Sequence, residues 1–223
     1  MAYFTQDFID FFSELSANNN RDWFHANKSR YEKNVKNPFH DFVQQMIDRV
    51  QAVDKTVVIT PKDAIFRINR DIRFSADKTP YKTHMSAIVS SGGKKHKTVP
   101  NGMYFQFGPE DARIYGGAYM LDKNQLQLVR EGIASDLSGF EKLIKAKPFA
   151  KKFGELHGDE HKRLPKEFQE AAEKQPLLYK KSFYFFAKFE AETILRDDLP
   201  DLLMDYYRAG RPVSEFFASA MQA

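Results

Sequence analysis

The spacing of apolar residues changes along this chain of 223 residues, and that change constrains the fold most. Up to about residue 50, phenylalanines and other apolar residues recur every three or four positions, which is the pattern of an amphipathic helix. From residue 57 to about residue 119, apolar and polar residues alternate, which indicates half-buried strands. Helical spacing then returns. Helices therefore precede and follow a strand-rich middle, an order typical of an α+β fold.

The strand-rich middle predicts a largely antiparallel central sheet of about five to six strands, flanked by helices in a single α+β domain over residues 1–223. Short turns such as Gly108–Asp111 join the strands, and such turns connect antiparallel neighbours. The expected segments are N-terminal helices over 1–51, main strands over 57–119, a helical segment over 122–180, and a strand with C-terminal helices over 181–223. The expected strands are Val57–Thr60, Ala64–Arg73, Lys82–Ser90, Gly102–Phe107, Ala112–Tyr119 and Lys181–Glu190.

Capping residues and spacing mark the helices. A helix is expected to begin near Asn20 or Asp22, and another is expected to begin at Asp122. Near the C-terminus the pattern predicts two separate helices, Asp198–Ala209 and Val213–Met221. The first helix places its apolar residues on one side, so these side chains are expected in the core: Phe4, Phe8, Phe11, Phe12 and Leu15.

Composition narrows the class of protein. The chain contains no cysteine, which excludes disulfides, thiolate nucleophiles and cysteine-ligated metals, and which fits a reducing compartment. The first 17 residues lack the basic and apolar regions of a signal peptide, and no apolar run approaches the ~18 residues of a membrane span. We therefore expect a soluble, cytoplasmic protein that does not bind membranes. Its oligomeric state does not follow from the sequence.

The stretch from Arg67 to His84 is dense in side chains that ionise. Between Lys62 and Lys97, nine lysines and arginines stand against three aspartates, a net charge of +6, whereas the whole chain carries +4. The positive charge is therefore local, and a local positive field attracts anions. Arginine offers paired planar donors that fit phosphate or carboxylate, and lysine adds a compact charge.

Strand alternation predicts that part of this stretch forms one surface. If the strands on either side of it pair as a hairpin, Arg67, Asp71 and Arg73 lie on the same surface as Lys82 and His84. A carboxylate beside His84 holds its imidazole in one tautomer and raises its basicity, as a general base requires. We therefore predict an anionic small molecule as the partner. Whether the protein is an enzyme stays open at this point, and His84 and Asp71 are the candidate catalytic residues if it is. The predicted ligand-binding residues are Arg67, Arg70, Arg73, Asp77, Lys78, Tyr81, Lys82, Gly116 and Gly117.

Other interpretations of the charged stretch stay open. Arg-Asp pairs at short spacing also serve as salt bridges that lock a loop. The strand surface with the basic loop Lys94–Lys97 fits nucleic acid, or an acidic protein partner. His157 and His161 have a metal-ligand spacing, but Gly158 disfavours a helix there and no third ligand accompanies them. We predict neither a metal nor a cofactor, and no motif assigns a reaction.

Four blocks of sequence, spread over nearly the whole chain, carry a resemblance. They are Asn18–Phe24 with Asn27, Lys28 and Tyr31; Arg67–His84; Tyr115–Tyr119 with Val129–Ile133; and Leu164–Lys166 with Gln175 and Pro176. Together they resemble the family called domain of unknown function 2461. The resemblance implies membership of that family and no particular activity.

Overall fold

A four-stranded antiparallel sheet lies at the centre of the computed structural model, which describes residues 2–95 and 102–222. The strands follow one another in the order β1-β2-β3-β4. Helices flank the sheet, so the α+β class and the antiparallel pairing are confirmed, and the prediction of five to six strands is wrong. The strands are β1 Met85–Ser90, β2 Gly102–Phe107, β3 Ala112–Ala118 and β4 Phe183–Phe189.

The two strands expected before β1 do not form as regular strands. Residues 57–60 pair with no strand in the described part of the chain, and residues 64–73 begin within a short helix and continue as irregular chain. This irregular chain meets residues 81–87 through two isolated bridges, Ile65 with Ala87 and Asn69 with Tyr81. The bridge positions are four residues apart on one side and six apart on the other, so two extra residues lie on the second side and the two segments do not pair as a regular hairpin.

Helices lie before β1, between β3 and β4, and after β4 in the chain, as the spacing predicts. A π-helical turn, Glu32–Lys36, joins the third helix to the fourth. The α-helices are α1 Gln6–Ala17, α2 Arg21–Ala26, α3 Lys28–Tyr31, α4 Asn37–Val53, α5 Pro61–Ala64, α6 Lys123–Ser135, α7 Leu137–Lys145, α8 Lys147–Phe153, α9 Gln169–Lys174 and α10 Leu199–Ala220. Short 3-10 turns are Gly93–Lys95, Lys166–Phe168, Pro176–Tyr179 and Ala191–Leu195.

The predicted helix starts are confirmed by their hydrogen bonds. The backbone N–H of Trp23 donates to the side chain of Asn20 at 2.9 Å, which satisfies one of the free donors of the first turn. Asp122 and Gln125 form a reciprocal capping box at the start of α6. The two helices predicted at the C-terminus are instead one helix, α10, which continues through Pro212. The proline removes one backbone hydrogen bond from the helix, and the packing of α10 on β3 offsets this loss.

The core lies between one face of the sheet and the helices α4 and α10. The helix α4 packs on β1, and α10 packs on β3. The ring of Phe42 meets Phe105 edge-on at 5.6 Å, and Phe217 lies 5.5 Å from Phe183. The core residues predicted for the first helix are all buried. Within residues 2–95 and 102–222, no helix has the length and apolarity to cross a membrane.

Candidate functional site

The other face of the sheet carries rows of side chains that run across the strands. The polar row contains Ser86, Gln106, Arg113 and Lys188. The next row is largely aromatic and contains Ile88, Tyr104, Tyr115 and Phe186. Beyond it the row pairs Ser90 with Gly102 and Gly117 with Tyr184. Gly102 and Gly117 therefore lie next to the large rings of Tyr104 and Tyr115, and their lack of side chains leaves a depression in the surface of the sheet.

A cavity of about 590 Å³ lies on this face of the sheet. Ligand sites in proteins have volumes of roughly 300–1,000 Å³, so the cavity is large enough for a small molecule. Its apolar wall includes Phe66, Tyr104, Tyr119, Met120 and Tyr184. Its polar lining includes Lys82, His84, Ser86 and Tyr115. The cavity therefore combines aromatic walls with one cation and several hydrogen-bonding groups.

Gly116 and Gly117 line the cavity, where the sequence predicted a close approach to an anion. The backbone N–H of Gly117 donates to Ser214 Oγ at 3.3 Å, so it is directed at α10 and not at a ligand. Gly117 has a φ of +90°, and a Cβ there would lie 2.3 Å from the carbonyl oxygen of Phe183. This glycine therefore serves the close pairing of β3 with β4.

Lys82 and His84 also line the cavity. The Lys82 ammonium lies 5.4 Å from the centre of the Phe66 ring, within the range of a cation–π contact. Burial, assisted by the charges of Lys82 and Arg113, lowers the pKa of His84 to about 4. The imidazole is therefore neutral at pH 7, when it offers one donor and one acceptor.

The predicted arginines do not line the cavity. Arg70 forms an ion pair with Asp77 and donates to the backbone oxygen of Thr79 at 3.2 Å. Arg73 donates to both carboxylate oxygens of Asp71, at 2.9 Å and 2.7 Å, and its hydrogen bonds lower the pKa of Asp71 to about 2. Arg67 is exposed. The prediction that these arginines bind a ligand together with Lys82 and His84 on one surface is therefore wrong. Arg70 and Arg73 instead form the alternative that was left open, salt bridges that lock their own loop.

The remaining residues of the charged stretch also stabilise its own loop. Lys78 donates to the backbone oxygen of Ile72 at 3.0 Å. Tyr81 is buried and stacks on Phe24 with ring centres 4.1 Å apart. The side chain of Asn19 bonds the backbone of Tyr81 in both directions, at 2.9 Å and 3.1 Å. The first and second family-like blocks therefore meet through this asparagine.

The sequence did not identify a second group of charged residues, which lies beside the cavity and contains Asp111, Arg113 and Lys188. Asp111 is 5% exposed and accepts two hydrogen bonds from Arg113, at 2.8 Å and 2.6 Å. Burial alone would raise the pKa of Asp111, but bonds from Arg113 and Lys188 outweigh burial and lower it. The carboxylate whose charge acts on His84 is Asp111, in place of the predicted Asp71. One sequence signal was available: Asp111, Arg113 and Tyr115 alternate, and therefore lie toward one face of the sheet.

The other predicted candidates lie elsewhere or outside the described residues. The ring of His157 lies 4.9 Å from Phe186, at the edge of the sheet. Lys94 donates to the backbone oxygen of Ile65 at 3.0 Å, while His96 and Lys97 of the basic loop lie outside the described residues. In the described ranges, no three side chains of His, Asp or Glu are grouped as a metal ion would require.

Comparison with known proteins supports the resemblance noted in the sequence. A search of curated proteins finds no match to the chain. A family model described as a conserved hypothetical protein, DUF2461, matches residues 7–216, which is nearly the whole chain. The matched region includes every strand of the sheet and every residue that lines the cavity. The chain therefore belongs to the DUF2461 family.

Proposed function

We propose that the protein binds a small molecule that has a planar apolar part and a phosphate or carboxylate group, and that the cavity on the open face of the sheet is the binding site. One observation carries the proposal: a cavity of ligand size has aromatic walls and a lysine at its polar side. Aromatic walls favour a planar apolar group, and an ammonium group favours an anion.

The charges around the cavity support an anionic ligand. Lys82, Arg113 and Lys188 are cations, and Asp111 is the carboxylate that pairs with two of them. This group of four therefore carries an excess of positive charge. His84 is neutral at pH 7 and adds hydrogen-bonding capacity without adding charge.

The location proposed for this activity is the cytoplasm. The absence of cysteine supports it, because proteins in oxidising compartments often use disulfides.

A second candidate function is binding of single-stranded nucleic acid. The aromatic row supports it, because Tyr104, Tyr115 and Phe186 lie on one face of an antiparallel sheet beside the cations Arg113 and Lys188. Aromatic side chains on such a face stack with bases, and cations beside them bind phosphates. Nucleic-acid affinity would fall steeply with salt, with a slope set by the number of phosphates contacted. Fluorescence titration of a labelled oligonucleotide at several salt concentrations measures that slope.

The small-ligand proposal is tested with two fluorescent probes that differ in charge. Anilinonaphthalene sulfonate is planar, apolar and anionic, and N-phenylnaphthylamine is its neutral counterpart. We expect Lys82→Met to lower the affinity for the sulfonate probe about tenfold, because one charge-assisted contact contributes on the order of 1.4 kcal/mol to binding. The neutral probe should bind the variant as it binds the wild-type protein. Methionine keeps most of the apolar length of lysine, so the wall beside Phe66 stays covered.

A matched control is Lys142→Met, because Lys142 is exposed on α7 and does not line the cavity. It should change the affinity of neither probe. The proposal fails if the wild-type protein binds neither probe, or if Lys82→Met binds the sulfonate probe as tightly as Lys142→Met does.

A further inference from the structure

The guanidinium of Arg113 is held in one orientation beside the cavity, in the neighbouring row of the same sheet face. Its Nε donates to Asp111 Oδ1 at 2.8 Å, and its Nη2 donates to Asp111 Oδ2 at 2.6 Å. Lys188 Nζ lies 3.1 Å from the same carboxylate. Asp111 is buried, and Arg113 is half-buried. A bidentate pair of this kind fixes the plane of the guanidinium as well as its position.

The third nitrogen of Arg113 donates a hydrogen bond to a residue that lines the cavity. Arg113 Nη1 donates to Tyr115 Oη at 3.3 Å. A guanidinium has donors only, so the phenol oxygen must accept this bond and its own proton points elsewhere. In the part of the chain that the structure describes, that proton has no acceptor. Tyr115 lines the cavity, so its hydroxyl is available to donate to a bound molecule.

The other tyrosine of the aromatic row differs in this respect. Tyr104 lies beside Tyr115, with ring centres 5.6 Å apart, and it also lines the cavity. Its hydroxyl donates to Gln106 Oε1 at 3.2 Å, so its proton is already used within the protein. The two neighbouring phenols therefore have different roles: Tyr104 presents an aromatic face, and Tyr115 presents a hydrogen-bond donor.

We propose that Tyr115 donates a hydrogen bond to an oxygen of the ligand's anionic group, and that Arg113 is the positioning residue that orients and polarises this hydroxyl. The inference rests on the proposed function and makes it more specific. It assigns two contacts to the anionic group, the ammonium of Lys82 and the hydroxyl of Tyr115. The ligand class that follows is a carboxylate, phosphate or sulfonate on a planar apolar group, and a cationic group in the same place is disfavoured.

The test uses the same two probes with a matched pair of tyrosine variants. Tyr115→Phe removes one hydroxyl and keeps the ring, and we expect it to lower the affinity for the sulfonate probe about five- to tenfold. The neutral probe should be unaffected. Tyr104→Phe makes the same chemical change at a neighbouring residue of the cavity wall, and it should weaken binding of the sulfonate probe several-fold less than Tyr115→Phe does, because the Tyr104 hydroxyl already donates to Gln106. Thermal unfolding of each variant shows whether the fold is intact.

The positioning role of Arg113 is tested by a double-mutant cycle. Arg113→Met should lower the affinity for the sulfonate probe in the wild-type background. If Arg113 acts through the hydroxyl, the same change should cost much less in the Tyr115→Phe background, where that hydroxyl is gone. A purely structural or long-range electrostatic role would give the same loss in both backgrounds and would overturn the positioning role. If Arg113→Met does not fold, the comparison of Tyr115→Phe with Tyr104→Phe decides the inference alone.

Failure of the inference is distinguishable from failure of the proposed function. If Lys82→Met weakens the sulfonate probe while Tyr115→Phe and Tyr104→Phe behave alike, the donor role of Tyr115 is wrong and the binding function stands. If the wild-type protein binds neither probe, the function and the inference fall together.

Discussion

Replacing Gly117 by alanine should destabilise the protein much more than the same replacement at Gly154. Both glycines have positive φ values, +90° and +75°, so alanine strains the backbone at both. Their surroundings differ. A Cβ at Gly117 would lie 2.3 Å from the carbonyl oxygen of Phe183 and 3.0 Å from the Cα of Tyr184, whereas a Cβ at Gly154 would have no atom within 4 Å. The pair therefore separates steric overlap from backbone strain.

The expected difference follows from these contacts. Positive φ costs a residue other than glycine on the order of 1–3 kcal/mol, and this cost applies at both positions. The effect of the substitution on the unfolded chain is also common to both variants, so it cancels in the comparison. At Gly117 the atoms in the way belong to the backbone of β4, so β3 and β4 must separate locally. Overpacking of this kind costs about 1–3 kcal/mol. We therefore expect Gly117→Ala to be less stable than Gly154→Ala by about 2 kcal/mol.

Thermal unfolding followed by circular dichroism measures this difference. For a chain of this length, 1 kcal/mol changes Tm by about 2–4 °C, so Gly117→Ala should unfold about 4–8 °C below Gly154→Ala. Equal Tm values for the two variants would refute the reasoning, because they would show that the β3–β4 pair accommodates a methyl group freely at this position.

Two further predictions concern ionised groups. Burial lowers the pKa of His84 from 6.5 to about 4, so between these pH values the unfolded chain binds a proton there that the folded chain does not. Stability should therefore fall as pH falls through this window, by at most about 3 kcal/mol, and urea unfolding of His84→Gln should show a smaller fall than wild type. Arg30 joins α1 to α3 through half-buried hydrogen bonds to Asp7, at 2.8 Å and 3.1 Å. Arg30→Met should lower the free energy of unfolding by about 1–3 kcal/mol. Arg196→Met breaks an exposed pair with Asp198 and should lower it by less than about 1 kcal/mol. Equal urea midpoints for the two variants would contradict this expectation.

Features that depend on nearby residues were predictable from the sequence. The amphipathic spacing of the first helix places its apolar residues in the core, where they are buried. Asn20 and Asp122 begin helices because a short polar side chain satisfies free backbone donors two or three residues away. The strand Lys181–Glu190 has aromatic residues on both faces, and it forms β4 inside the predicted range. These signals involve residues a few positions apart, so no knowledge of the tertiary packing is needed to interpret them.

The aromatic residues of β2 divide between the two faces of the sheet. Phe105 and Phe107 are buried under α4, whereas Tyr104 lies on the opposite face and lines the cavity. Alternation along the strand separates these residues, but the sequence alone does not show which face is covered by helices.

Local patterns and long matching motifs in the sequence were enough to predict the fold class, most of the helices and the family. The site depends on the tertiary structure. The Ile65–Ala87 and Asn69–Tyr81 bridges pair odd-numbered residues with odd-numbered ones, so Phe66, rather than Arg67 or Arg73, shares a face with Lys82 and lines the cavity. Arg70 and Arg73 pair with aspartates of their own loop, and the buried Asp111 acts on His84. Ion-pair partners and cavity walls come from residues far apart in the chain, so only the packing of the whole fold determines them.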